Sequence, residues 1–141
     1  MRSLLDKEKG AGGVWNLKHA PGGLVDIEFL AQALQLAYAA EKPDILSAST
    51  IGALDRARKS RLLDDEDWSV LTGACRLQQD LTQALRLAID GPFDPAEAGQ
   101  GLKGLLARTG EAPDFKVLSA TLGGTQKEVR RIFRKVLGGL G

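Results

Sequence analysis

Apolar residues recur at three- and four-residue steps along most of the chain, and glycine and proline divide them into segments. Leu24 to Glu41 contains neither breaker, and its polar residues are few. At about 100° per residue, Glu28, Gln32 and Gln35 share a narrow stripe that Ala39 extends, while Asp26 stands roughly 160° from Glu28. A helix this apolar is expected at the centre of a bundle, ended by Pro43. A second is expected from about Thr50 to Leu62, with Ser49 or Thr50 as N-cap. Ile51, Ala53 and Leu54 would face the core, and Arg56, Arg58, Lys59 and Arg61 would face outward. The acidic run Asp64-Asp65-Glu66-Asp67 complements a helix dipole. It opens a third helix to about Ile89, in which Trp68, Leu71, Cys75, Leu77 or Gln78, Leu81, Leu85 and Ala88 recur at three- and four-residue steps, closed by Gly91-Pro92. Asp94-Pro95 supplies the cap and first-turn proline of a fourth helix, which runs to about Arg108 and stops at Gly110. Pro113-Asp114 opens a short fifth helix ending at Gly123-Gly124. Thr125 with Glu128 reads as a capping box for a sixth, with Val129, Ile132, Phe133, Val136 and Leu137 as its core face and a fraying tail from Gly138. The fold class expected is all-α, an antiparallel helical bundle of five to six helices joined by short loops.

The chain's opening is different. Arg2 to Lys9 suits one or two charged helical turns, and Gly10 to Gly23 is too rich in glycine and proline for a continuous helix. The expected organisation is a tail of a preceding domain at 1–9, a Gly-rich linker loop at 10–23 and a helical bundle at 24–141, as if cut from a longer protein, with Gly138 to Gly141 reading as its natural C-terminus. The 141 residues suffice for a real core without disulfides. Apolar residues at 43% and charged residues at 26% are an ordinary globular balance. A net charge of +1 supplies no overall field toward nucleic acid or membrane. The lone Cys75 reads as a small buried hydrophobe in a reducing compartment, and no Cys/His spacing suggests zinc. Without a signal-like start or a run of ~20 apolar residues, a cytoplasmic location is expected.

The segment Lys18-His19-Ala20-Pro21-Gly22-Gly23-Leu24-Val25-Asp26-Ile27-Glu28-Phe29-Leu30-Ala31-Gln32 resembles the signature of glutamine synthetase adenylyltransferases, and the likeness continues through Leu36, Tyr38, Ala39, Glu41, Lys42 and Pro43. Members of that family are bifunctional. One half transfers AMP from ATP to a tyrosine of glutamine synthetase and the other removes it by phosphorolysis, each half pairing a nucleotidyltransferase domain with a helical bundle. The resemblance implies the C-terminal bundle of the adenylylating half. It also implies magnesium and ATP as cofactors of the whole enzyme, and as partners its own nucleotidyltransferase domain, glutamine synthetase and the PII signalling protein. The family's catalytic domain carries a Gly-Ser turn followed by an Asp-x-Asp pair for two magnesium ions. Here Asp64 to Asp67 lacks such a turn, and Asp26 and Glu28, at i and i+2 of a helix, diverge. This chain alone is therefore expected to be inactive.

The candidate nucleotide-proximal or interdomain residues are Lys18, Gly22, Gly23, Asp26 and Glu28. Gly22-Gly23 before a helix suits an anion site built from free N–H groups, with Lys18 and His19 nearby, and equally suits a plain turn with interdomain packing. Asp26 suits dipole compensation, or pairing with Lys18, an arginine of the bundle or a residue of another domain. Glu28, Gln32 and Gln35 read as a solvated face or a polar seam against the catalytic domain. His19 has no evident ligand set, and Trp15 and Trp68 read as packing residues. The cations at Arg56 to Arg61, and Lys127 with Arg130, Arg131, Arg134 and Lys135, read as solvated faces or as contacts for an acidic protein; lacking interleaved aromatics, they do not suggest nucleic acid. Two other readings are a stand-alone helical interaction domain and a uridylyltransferase-type bundle. A Gly-Ser and Asp-x-Asp pattern encoded about 100–200 residues upstream, one domain's length, would separate the first of these from the adenylyltransferase.

Overall fold

The computed structural model describes residues 13–38, 49–89 and 93–140. A 3-10 turn, Gly13–Trp15, precedes five α-helices: α1 Leu24–Tyr38, α2 Thr50–Lys59, α3 Asp65–Ala88, α4 Gln100–Thr109 and α5 Phe115–Leu140. No strand occurs among the described residues, so the chain forms the expected all-α bundle. α1 packs on α2, α3 and α5; α3 also meets α2, α4 and α5; α5 meets α4 and the 3-10 turn.

Side-chain caps set three helix starts. Ser49 Oγ accepts from the Gly52 N–H at 2.9 Å, Asp64 Oδ1 from the Asp67 N–H at 2.7 Å and Asp114 Oδ1 from the Val117 N–H at 2.8 Å; each satisfies a donor the helix leaves open. α2 and α4 end in one motif. Arg61 and Glu111 take left-handed φ values of 65° and 57°. The next N–H groups, of Leu62 and Ala112, then return to the carbonyls of Ala57 and Ala107, each at 2.8 Å. α2 therefore closes at Lys59, short of the expected Leu62.

Three expectations are corrected. Asp94 does cap a turn, accepting from the Ala96 N–H at 3.0 Å, but Gly99 is extended and α4 starts only at Gln100. Gly123-Gly124 does not end a helix, nor does Thr125 begin one, because α5 runs unbroken through all three. The core line of Leu118 and Leu122 before the glycine pair continues through Val129 and Ile132 after it on the same helix face, and its burial outweighs the ~1 kcal/mol per residue that glycine costs inside a helix. The backbone from Gly138 to Leu140 stays helical instead of fraying. The charged turns expected at 2–9, the end of the first helix near Pro43 and the Gly91-Pro92 stop lie outside the described residues.

The core has two apolar compartments. One joins Leu24, Ile27, Leu30 and Leu34 of α1 to Leu54 of α2, Leu71 and Cys75 of α3, and Val129 and Ile132 of α5. The other joins Trp15 and Leu17 to Leu81 of α3, Leu106 of α4, and Leu118 and Leu122 of α5. The first half of α3 thus shares a compartment with the second half of α5, so the two long helices run in opposite directions. Between the compartments sit two buried amides, Gln78 and Gln126, at 0% and 4% exposure.

Candidate functional site

The loop before α1 is seated on this amide layer. Gln126 Nε2 donates to the Val14 carbonyl at 2.9 Å and to Gln78 Oε1 at 2.9 Å. Gln78 Nε2 donates to the Gly22 carbonyl at 3.2 Å. Gly22 has φ +86°, and a Cβ there would lie 2.1 Å from the Gln126 carbonyl oxygen. A Cβ on Gly23 would lie 2.5 Å from the Leu17 carbonyl oxygen. The two glycines thus let the loop touch the backbone of α5 and of itself. Nearby, Trp15 is wedged between Phe93 and Phe115 at ring separations of 5.2 Å, and its Nε1–H donates to Ser119 Oγ at 3.0 Å.

Asp26 closes the assembly. One carboxylate oxygen, Oδ2, accepts from the Gly22 N–H at 2.7 Å and from the Arg130 guanidinium at 2.9 Å. Of the partners open to it in the sequence, an arginine of the bundle is the one it meets. The anion cradle of free N–H groups does not form. Gly22 N–H is held by Asp26, and the N–H groups of Gly23, Leu24 and Val25 donate to Ala20, Leu17 and Lys18 carbonyls at 2.7, 2.8 and 2.9 Å. The loop folds back on the helix start and uses those donors itself.

Lys18 and His19 are exposed on the outer side of this loop, and Glu28 and Gln32 are exposed on α1. With them on α1 stand Phe29, 54% exposed, and Leu36, 83% exposed. Seven residues apart, Phe29 and Leu36 lie nearly on one line along the helix. α1 is therefore not enclosed on all sides as its composition suggested; it buries one face and leaves an apolar line open. Phe29 reaches Phe133 of α5 at a 6.0 Å ring separation, and Arg130 lies over the Phe133 ring at 4.5 Å.

Two members of the acidic run at α3, Asp64 and Asp67, are committed to structure. Asp64 caps the helix. Asp67 is buried and ion-paired with Lys135, and Arg131 lies 3.7 Å away. Among the described residues, no three His, Cys, Asp or Glu side chains converge as metal ligands. Burial pushes the Cys75 thiol up to about 11 from its ordinary 9.0; the charge of Glu28 adds to this and that of Arg76 opposes it.

A family model described as GlnD PII-uridylyltransferase matches residues 6–137. A bifunctional glutamine synthetase adenylyltransferase/adenylyl-removing enzyme of Xanthobacter autotrophicus is 53% identical over 137 residues, 97% of this chain. The chain belongs to the glutamine synthetase adenylyltransferase family. Adenylyltransferases of the same name from Rhodopseudomonas palustris and a Bradyrhizobium species are each 50% identical, over 100% and 97% of the chain. The chain spans 14% of the length of these relatives. The adenylyltransferase-like signature noted in the sequence supplies the end of the loop, the Gly22 carbonyl that Gln78 binds and the exposed line of α1. Sequence reasoning missed Arg130 and Gln126 as members of this assembly. A signal existed for the latter: glutamine interrupts an otherwise apolar inner line in α3 and again in α5.

Proposed function

We propose that this bundle is the helical module of a cytoplasmic glutamine synthetase adenylyltransferase, docked by its glycine loop and the outer face of α1 onto the nucleotidyltransferase domain. That domain carries out ATP-dependent, magnesium-dependent transfer of AMP to a tyrosine of glutamine synthetase, and PII regulates the longer protein. We assign the module to the adenylylating half. The boundaries at 1–9, 10–23 and 24–141 follow the same reading, with the loop serving as part of the module's seat rather than as a free tether.

The exposed line of Phe29 and Leu36 beside Glu28 carries this reading, because large apolar side chains in line on an ordered helix suit a covered face. Two carboxylates among the described residues, Asp26 and Asp67, are already engaged and do not suit a magnesium pair. Asp26 is held by Arg130 and a backbone N–H, and Asp67 is paired with Lys135. The module's contribution is therefore to orient and to exclude water at a domain boundary, with Lys18, Gly22, Gly23, Asp26 and Glu28 forming or backing that boundary. On this reading, the 141-residue chain alone incorporates no AMP into glutamine synthetase.

The test is Leu36→Glu in the longer enzyme. Leu36 is so exposed that the isolated bundle should keep its stability within about 0.5 kcal/mol. AMP incorporation into glutamine synthetase should fall at least tenfold, while phosphorolytic removal of AMP should be spared. Unchanged adenylylation would reject the docking face, and an equal loss of both activities would reject the assignment to one half.

A further inference from the structure

A groove of about 690 Å³ runs between the glycine loop and α5. Its floor and loop side are apolar, with Val14, Ala20 and Pro21. Its α5 side carries Lys127, Arg130, Arg131 and Arg134, at i, i+3, i+4 and i+7 of one helix face. Arg130 is neutralised by Asp26 at 2.9 Å, and Arg131 is engaged by Glu128 at 3.2 Å. Lys127 and Arg134 are exposed and have no ion pair among the described residues. Two unanswered charges thus stand about 10 Å apart along the helix, seven residues at ~1.5 Å each, beside an apolar trough. The walls are held in place beforehand, since Gln126 on one side bonds the Val14 carbonyl on the other.

We propose that this groove is a docking site for an acidic, leucine-bearing segment of a protein partner. Spaced cations along a linear trough suit an extended polyanion whose apolar side chains reach the floor. Carboxylates would answer Lys127 and Arg134, and a preformed trough avoids the ordering cost of building the site on contact. A compact anion would engage only one end of so spread a row. The groove shares its loop wall with the docking face proposed above, while the charges that define it, Lys127 and Arg134, stand on α5; peptide binding by the 141-residue chain and AMP incorporation by the longer enzyme test the two readings separately.

The test uses the 141-residue chain and a fluorescein-labelled peptide of alternating Glu and Leu, with a Gln/Leu peptide of the same length and sodium tripolyphosphate as comparison ligands. Fluorescence anisotropy should show the acidic peptide binding, weakening as salt rises. The double variant Lys127→Glu/Arg134→Glu should weaken it at least tenfold, with the circular dichroism spectrum and melting temperature little changed, because both side chains are exposed. Equal binding of the Gln/Leu peptide, binding unaffected by the double variant, or tripolyphosphate binding in titration calorimetry with no binding of the acidic peptide would each overturn the proposal. The last result would assign the groove to small anions instead.

Discussion

At Gly22, left-handed backbone, a donor held by Asp26 and an acceptor held by Gln78 meet in one residue. Alanine there meets two costs: the strain of positive φ, about 1–2 kcal/mol, and collision of its Cβ with the α5 backbone at 2.1 Å. The colliding atoms are main chain and cannot swing aside. Gly22→Ala should therefore lower the unfolding free energy by on the order of 3 kcal/mol or more, read as a reduced urea midpoint with an unchanged m-value. The sequence identified Gly22, Gly23 and Asp26 because glycine marks unusual backbone and an aspartate on an apolar helix needs a partner. It did not identify Arg130, which lies 104 residues away in sequence. A need for a partner is local information, whereas the supplier depends on which distant helix arrives. The free-donor reading of the helix start failed for a related reason: the donors are consumed by carbonyls of the same loop, through a fold-back that composition does not encode.

Among elements, α5 departs furthest from its local signals. Gly123-Gly124 followed by Thr125 and Glu128 reads as a stop and a restart, yet the helix passes through because the same face stays buried on both sides. Gly124 is exposed, and a Cβ there would meet nothing within 4 Å. Gly124→Ala should consequently raise stability by about 0.5–1 kcal/mol, seen as a higher melting temperature in calorimetry. Starts with a capping side chain, at Ser49, Asp64 and Asp114, were legible. The ends of α3 near Ile89 and of α4 at Gly110 were legible too, whereas the end of α2 was not, because it closes on left-handed Arg61 rather than on glycine. Asp94-Pro95 carried a true cap for a single turn, and Gly99 then prevented it from growing into a helix.

In the whole molecule, the compartment holding Cys75 couples folding to pH. The folded thiol titrates near 11 and the unfolded one near 9.0, so the folded state keeps its proton longer. The stability from the neutral buried thiol is complete below pH 9 and is lost as pH rises toward 11. Urea unfolding of the parent chain should weaken across that window by on the order of 2 kcal/mol more than that of Cys75→Ala, the variant serving to subtract other groups that titrate there. All-helical architecture was legible from periodicity alone. The division into two compartments was not, since it depends on Gln78 and Gln126 facing each other across helices that meet only in the fold. That pair acts as a keyway. Sliding α3 by one turn along α5 would bring each amide against buried apolar side chains and strand it in hydrocarbon, at roughly 1–3 kcal/mol apiece, so one longitudinal seating of the two long helices is favoured. Because the same amides grip Val14 and Gly22, the loop is keyed to both long helices at once, and a register fixed in the core is a register fixed for the loop.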